Sequence, residues 1–376
     1  MAGIHLWCPS IRASDGGIES YSLSLAKALI EIVGERQITV LVRNHDSADV
    51  RDALGTDVRC GGSAWMPRAL WTIGFAALVV ARALRERPGL IISTHLNFGP
   101  FASFVNRLTK MPYWIALHGY ESWEIQRPSQ RRAVAKADLL LPVSAFTRDR
   151  AMKNYSIPAE RMRVLPDTFD PTRFSIGPKP EHLLRRYGWG PDDPVILTVG
   201  RLSSAEGYKG HDRLIRALPR VRAQVPNVKY LIVGGGDDQE RLARIANEEK
   251  VADAVLFAGR VSHNELSDYY RVCDLFAMPS TGEGFGIVFL EALSTGKPVL
   301  AGSGDGATDA LRGGELGVLV DPDDAQALAE NVTALLQRRH PHPLATRPEE
   351  LRNRVVDAFG PEKFKQAIAQ ILTEEA

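Results

Sequence analysis

Residues 279–298 read Pro279-Ser-Thr-Gly-Glu-Gly-Phe-Gly-Ile-Val-Phe-Leu-Glu-Ala-Leu-Ser-Thr-Gly-Lys-Pro298. The pattern predicts a loop, then a helix, then a strand, with Glu283 in the loop and Glu291 two turns inside the helix. Gly282, Gly284 and Gly286 lie where the loop becomes the helix, and glycine lets a backbone approach a ligand closely. A helix start adds free N–H groups and a positive dipole end, so the junction is a seat for phosphate or another anion. The two carboxylates suggest a second task, the holding of sugar or ribose hydroxyls. In an ordinary buried helix after a loose turn, both would be costly against apolar surface unless partnered.

Outward from this stretch, short apolar runs alternate with longer helical patterns. Strands are expected at Gly3–Cys8, Gln37–Arg43, Leu90–Thr94, Tyr113–Leu117 and Leu139–Pro142. Helices are expected at Gly17–Val33, Trp65–Arg85, Pro100–Leu108 and Gln130–Ala135. The rhythm restarts after Pro194, with strands at Val195–Val199, Lys229–Val233, Val255–Phe257, Leu275–Met278, Pro298–Ala301 and Gly317–Val320. Apolar strands between helices imply parallel sheets covered on both faces. The expected fold class is therefore α/β, with two Rossmann-like doubly wound domains. Prolines and glycines cluster over residues 170–190, which sets the expected domains at 1–175 and 176–355, with a helical tail at 356–376. In open parallel sheets, ligands sit beyond the carboxyl ends of the strands, so two such sheets facing each other would frame a central cleft.

The chain has 376 residues, 44% hydrophobic and 24% charged, as soluble multidomain proteins do. Cys8, Cys60 and Cys273 are far apart, which argues against a disulfide framework or zinc site and fits a reducing cytosol. No signal-peptide pattern precedes the first strand. The net charge of +1 hides an asymmetry. Residues 1–175 carry 22 basic against 16 acidic side chains, and the remainder 24 against 29. A basic first half suits an anionic acceptor or membrane surface, although a merely uneven solvated surface would look the same. Trp65–Arg85 is the most apolar segment but too short between Arg68 and Arg82 to span a bilayer. It reads as a packed helix; a contact of its Trp65, Met66 and Trp71 end with a bilayer is the alternative.

The loops after strands hold the remaining candidates. In Val199-Gly-Arg-Leu-Ser-Ser-Ala-Glu-Gly-Tyr-Lys-Gly210, Arg201 offers a planar fork and Lys209 a point charge to phosphate oxygens. Ser14-Asp-Gly-Gly-Ile18 places Gly16 and Gly17 at a helix start. His118 follows the strand Tyr113–Leu117 and would hydrogen-bond a sugar hydroxyl or stabilise developing charge. Gly234-Gly-Gly-Asp-Asp-Gln239 invites a dinucleotide reading, but the third glycine position holds Gln239. Asp321-Pro-Asp323 precedes a helical run and reads as helix capping rather than metal binding.

Arg201, Lys209, Glu283 and Glu291, in that order on the second of two Rossmann-like halves, resemble retaining glycosyltransferases of family 4, which have the two-domain fold called GT-B. The likeness extends to Gly16-Gly17, His118-Gly119 and the helical tail. It implies that Arg201 and Lys209 clamp the phosphates of a nucleotide-sugar donor. Glu291 would bind ribose hydroxyls, and Glu283 with Gly284, Phe285, Gly286 and Ile287 the donor sugar. Gly16 and Gly17 would meet the distal phosphate, His118 the reacting carbon, and Arg260 and Val261 the base. It also implies that the last helix, Pro361–Leu372, crosses back onto the first domain and that no metal or other cofactor is needed. Two departures stand out: the Ser203–Tyr208 insertion between Arg201 and Lys209, and Pro166-Asp-Thr168 where many members have Asn-Gly.

The expected activity is transfer of a hexose, mannose or glucose, from a nucleoside diphosphate sugar such as GDP-mannose or UDP-glucose. The acceptor would be a hydroxyl of a glycan or lipid-linked molecule in polysaccharide or glycolipid synthesis. The expected place is the cytosol, with peripheral contact at the inner membrane face. The alternatives are a non-catalytic nucleotide-sugar-binding protein and a Rossmann oxidoreductase. No basic run with interleaved aromatics points to nucleic acid.

Overall fold

A computed structural model describes residues 3–12 and 16–375. The chain divides into two compact bodies. One comprises the residues up to Thr168 and those from Pro361 on; the other is Phe169–Gly360.

The first body holds a six-stranded parallel sheet. Its strands are β1 (Ile4–Cys8), β2 (Ile38–Val42), β3 (Arg59–Gly62), β4 (Leu90–Ser93), β5 (Tyr113–Leu117) and β6 (Leu139–Pro142), in the order β3-β2-β1-β4-β5-β6. Every residue of β1, β2, β5 and β6 is buried, as strands covered on both faces require. Trp7, Phe75, Phe98 and Tyr113 anchor its core. The last helix, Pro361–Glu374, belongs to this body and packs on the helix Gly17–Val33. Phe364 meets Tyr21 edge-on at 5.8 Å, and Lys365 pairs with Glu31 at 2.7 Å.

The second body holds β7 (Val195–Val199), β8 (Lys229–Val233), β9 (Val255–Gly259), β10 (Leu275–Met278), β11 (Val299–Gly302) and β12 (Val318–Val320). Their order, β9-β8-β7-β10-β11-β12, repeats that of the first sheet. In each sheet the chain reverses its winding between the first and fourth strands. That reversal parts the loops at the carboxyl end and leaves a crevice for a ligand.

The division differs from the boundaries at 175 and 355. Residues 169–175 belong to the second body because Phe174 is buried edge-on against Tyr270 at 5.5 Å, and Arg352 donates to the carbonyls of Phe174 and Pro171. Residues 356–360 finish a helix not anticipated from sequence, Pro348–Phe359, whose Phe359 ring meets Phe285 at 5.4 Å. The helix expected over Trp65–Arg85 is Trp71–Glu86. Pro67 and a 3-10 turn, Arg68–Leu70, precede it, and Trp71 Nε1 donates back to the Met66 carbonyl at 2.8 Å. All three cysteines are free and buried. Among the described residues, no helix is long and apolar enough to cross a membrane.

Candidate functional site

The loops after β7 and β10 leave neighbouring strands at the reversal point of the second sheet. Gly210 brings them together: it has φ 78°, and a side-chain carbon there would lie 2.3 Å from the Pro279 carbonyl oxygen. The Thr281 N–H donates to the Tyr208 carbonyl at 2.8 Å, and Gly282 lies close against the Tyr208 side chain, where a side-chain carbon would come within 2.9 Å of its Cγ. Residues 201–209 and 279–286 therefore form one packed unit.

A chain of charges runs through it. Arg201 meets Glu206 at 2.5 Å, Glu206 stands 3.9 Å from Lys209, and Lys209 donates to Glu283 at 3.0 Å. Lys209, Glu206 and Glu283 are only 12%, 13% and 17% exposed, whereas Arg201 is 79% exposed. Burial alone would lower the pKa of Lys209, but Glu283, Tyr208 and Glu206 outweigh it, and the net direction is upward. The ammonium is thus secured in its charged form. Its Nζ also stands 5.2 Å from the centroid of the Tyr208 ring, a cation–π contact.

Glu283 is fixed through its backbone. Its N–H donates to Asp305 Oδ2 at 2.7 Å, and its carbonyl accepts from Gly306 N at 2.9 Å. Asp305 also accepts from Ala307 N at 2.9 Å, and burial pushes its pKa upward. Gly306 permits the contact, since a side-chain carbon there would sit 2.0 Å from the Gly284 carbonyl oxygen.

Gly286, at φ 97°, begins the helix Ile287–Ser294, whose first turn has no side-chain cap. The N-cap glycine thus offers the leading N–H groups no side-chain cap, and although Phe289 N donates to the Gly286 carbonyl at 3.0 Å, the helix start suits an anion. Glu291, one face further along this helix, accepts from the Tyr270 hydroxyl at 2.6 Å. Burial pushes its pKa up to about 7, against the opposing pull of Tyr270 and Arg173.

In the first body, His118 Nε2 donates to the Thr94 carbonyl at 2.8 Å, which leaves Nδ1 as the acceptor. Burial lowers its pKa to about 4. The ring is neutral near pH 7, so of the two roles expected from the sequence it suits the hydrogen bond to a hydroxyl. His95 and Glu121 stand nearby. Burial lowers the His95 pKa to about 4 and raises that of Glu121, whose Oε1 accepts the His118 N–H at 3.0 Å. Gly16 immediately precedes the helix Gly17–Val33, while Ser14 and Asp15 of the same motif lie outside the described residues.

The structure therefore joins Arg201, Lys209 and Glu283 in one charge chain, through Glu206. Glu291 is on the adjoining helix with its own partners. Gly284, Phe285, Gly286 and Ile287 lie between the two carboxylates, with the Phe285 side chain buried. Arg260 and Val261 follow β9, where the Arg260 side chain packs on Gly235. The Gly234–Gly236 turn serves backbone packing: side-chain carbons at Gly234 and Gly236 would fall 1.8 and 1.9 Å from the carbonyls of Gly200 and Leu202. The cap of the helix Ala325–Leu336 is Asp324, which accepts from Gln326 and Ala327, and not Asp321 or Asp323. Asp321 instead accepts from the Asp323 N–H, and Asp323 pairs with Arg213 at 2.9 Å. Among the described residues, no group of three His, Cys, Asp or Glu is placed to hold a metal ion.

Sequence reasoning missed Glu206, Tyr208, Asp305, Tyr270, His95 and Glu121. The insertion that carries Glu206 was visible, and a polar residue among the glycines after β11 marked Asp305. Nothing local signalled that Tyr270 would face Glu291.

Residues 181–358 match the family model described as glycosyl transferases group 1, and residues 15–173 that described as Glycosyltransferase Family 4. The chain belongs to the family 4 type of glycosyltransferases, with the GT-B fold. It is 38% identical over 231 residues to the GDP-mannose-dependent alpha-(1-6)-phosphatidylinositol monomannoside mannosyltransferase of Mycolicibacterium smegmatis, covering 58% of this chain and 59% of that one. It is 34% identical over 287 residues to the D-inositol 3-phosphate glycosyltransferase of Acidothermus cellulolyticus, covering 69% and 63%. The matches thus span about three fifths of the length of these curated relatives. Among solved structures, Anabaena HepE in complex with UDP and glucose superposes with a TM-score of 0.79 at 23% identity over 100% of both chains.

Proposed function

We propose that this protein transfers a hexose from a nucleoside diphosphate sugar, GDP-mannose in first place, to a hydroxyl acceptor, with retention of anomeric configuration and without a metal. The observation that carries the reading is the buried Lys209, held charged between Glu206 and Glu283 beside the uncapped helix start at Gly286. The base and sugar rest on the GDP-mannose-dependent relative.

Arg201, Lys209 and the N–H groups after Gly286 would take the diphosphate, supplying the positive charge that a metal supplies elsewhere. Glu291 would accept the ribose hydroxyls, and Glu283 those of the sugar. By family likeness, Gly16 and Gly17 are assigned to the distal phosphate and His118 to the sugar near the reacting carbon, where its neutral ring would accept a hydrogen bond from a sugar hydroxyl. As the bond from the anomeric carbon to phosphate oxygen breaks, negative charge grows on the leaving diphosphate, and the fixed cations stabilise it. The acceptor oxygen forms the new bond from the same face, and its proton passes to the departing oxygen. The products are the glycoside and the nucleoside diphosphate. Calorimetric titration with GDP and UDP tests the reading. One should bind in a one-to-one complex; binding of neither counts against it.

The proposed acceptor is a lipid-linked polar molecule at a membrane surface. Trp65, Leu70 and Ile73 stand exposed around the start of the helix Trp71–Glu86, and Phe104 and Leu108 on the helix Gly99–Thr109 that packs beside it. Arg68, Arg85 and Arg107, also exposed, lie on the same segments. Exposed apolar groups with basic neighbours suit anionic headgroups. Sedimentation with anionic vesicles should show binding that weakens as salt rises, with none to neutral vesicles. Absence of salt-sensitive binding would favour a water-soluble acceptor.

A further inference from the structure

The Ser203–Tyr208 insertion leaves its mark at Glu206. The carboxylate lies between the two cations assigned to the donor diphosphate, 2.5 Å from Arg201 and 3.9 Å from Lys209. With Glu283 it makes a set of two cations and two carboxylates, neutral overall, which is a poor attractant for a polyanion.

The two carboxylates are not held alike. Glu283 is bonded to Lys209 at 3.0 Å and its backbone is fixed by Asp305 and Gly306. Glu206 lies at a break in the turn Ser204–Lys209, with φ −113° and ψ 28°. Its Oε2 is buried and has no hydrogen-bond partner among the described residues. At 3.9 Å from Lys209 that oxygen gains charge attraction without the bond that offsets lost hydration. Its close partner, Arg201, is the most exposed member of the set.

We infer that Glu206 is an internal competitor for the donor diphosphate: its carboxylate and the diphosphate take Arg201 and Lys209 in turn. This rests on the reading of the site as a donor seat. The surroundings favour a swing of the side chain alone. The start of the insertion is pinned, with Ser204 N and Oγ both donating to Asp237, at 3.1 and 2.6 Å. Lys209 stays anchored by Glu283 and the Tyr208 ring when Glu206 leaves. The exchange also sets a threshold of charge. A ligand must offer more negative charge than one carboxylate to displace it, which favours a diphosphate over a monophosphate and a monophosphate over a nucleoside.

The experiment is calorimetric titration of wild type, Glu206→Gln and Glu206→Ala with inorganic pyrophosphate, GDP, UDP, GMP and guanosine. Melting curves confirm that the variants are folded. Removal of the competing charge should tighten pyrophosphate and the bound nucleoside diphosphate about tenfold, the scale of one partly screened charge contact. The gain should shrink as salt rises and leave guanosine unchanged. It should be larger for diphosphate than for GMP. If Glu206 instead supports Lys209 in place, both variants bind the diphosphate more weakly, and the inference fails while the donor seat stands. Unchanged affinity in both variants overturns it equally. If neither wild type nor variants bind pyrophosphate or any nucleotide, the donor seat itself fails, and the inference with it.

Discussion

Replacement of Lys209 by alanine is expected to lower kcat/KM for sugar transfer by at least about a hundredfold, some 3 kcal/mol of transition-state stabilisation. The side chain is 12% exposed and bonded to Glu283 at 3.0 Å, and the neighbouring carboxylates keep it charged. It is a fixed charge in a shielded place, and such a charge acts on a leaving diphosphate without reorganising first. The variant leaves Glu206 and Glu283 with only Arg201 as local counter-charge in that chain, so some stability should be lost. The fold should persist, because the two loops are also tied through Gly210, Thr281 and Gly282. Steady-state kinetics together with a melting curve separate the two effects. Wild-type turnover by a folded variant would remove Lys209 from the mechanism.

The second large effect concerns Glu291, where function and stability should move in opposite directions. Its pKa in the folded protein is raised by burial from 4.5 to about 7. The folded state therefore holds a proton that the unfolded state has released between those values, and stability falls as pH rises through that window. The penalty is complete above pH 7 and absent below about 4.5, and on this scale it is on the order of 3 kcal/mol. Glu291→Gln removes the charge but can still accept the Tyr270 hydroxyl. It should melt higher than wild type at pH 8 and alike near pH 4.5. It should also bind the nucleoside diphosphate more weakly, since a neutral amide accepts ribose hydroxyls less well than a carboxylate. In wild type, nucleotide affinity should fall as pH drops below about 7 and Glu291 takes up its proton. Melting curves at both pH values and titrations across the window check this. A variant equally stable at pH 8 and unimpaired in binding would show that the carboxylate has neither role.

The parts of this fold that were legible in the sequence are those whose signals are local. Strands such as Val195–Val199 and Lys229–Val233 are apolar runs set between helical patterns and appear as expected. β3 did not show, because Arg59-Cys-Gly-Gly62 lacks an apolar rhythm. Its identity comes from pairing with β2 and from a close approach at Gly62, where a side-chain carbon would lie 1.8 Å from the His45 carbonyl oxygen. Tertiary pairing here overrides local preference. The same distinction holds in the site. Arg201, Lys209 and Glu283 were readable because charges and glycines stood in loops after strands. Asp305 and Tyr270 act on residues 22 and 21 positions away, and only folding brings them together. Glu206 lay within a noticed insertion, but its place between two cations depends on how that insertion turns.

In the proposed reaction a nucleotide sugar gives up its diphosphate to Arg201 and Lys209. A panel of GDP- and UDP-linked hexoses, incubated with wild type and Lys209→Ala and read by released nucleotide, tests it without knowledge of the acceptor. One donor, GDP-mannose first, should be slowly cleaved by wild type and left intact by the variant. Cleavage of none, or equal release by both proteins, would contradict it.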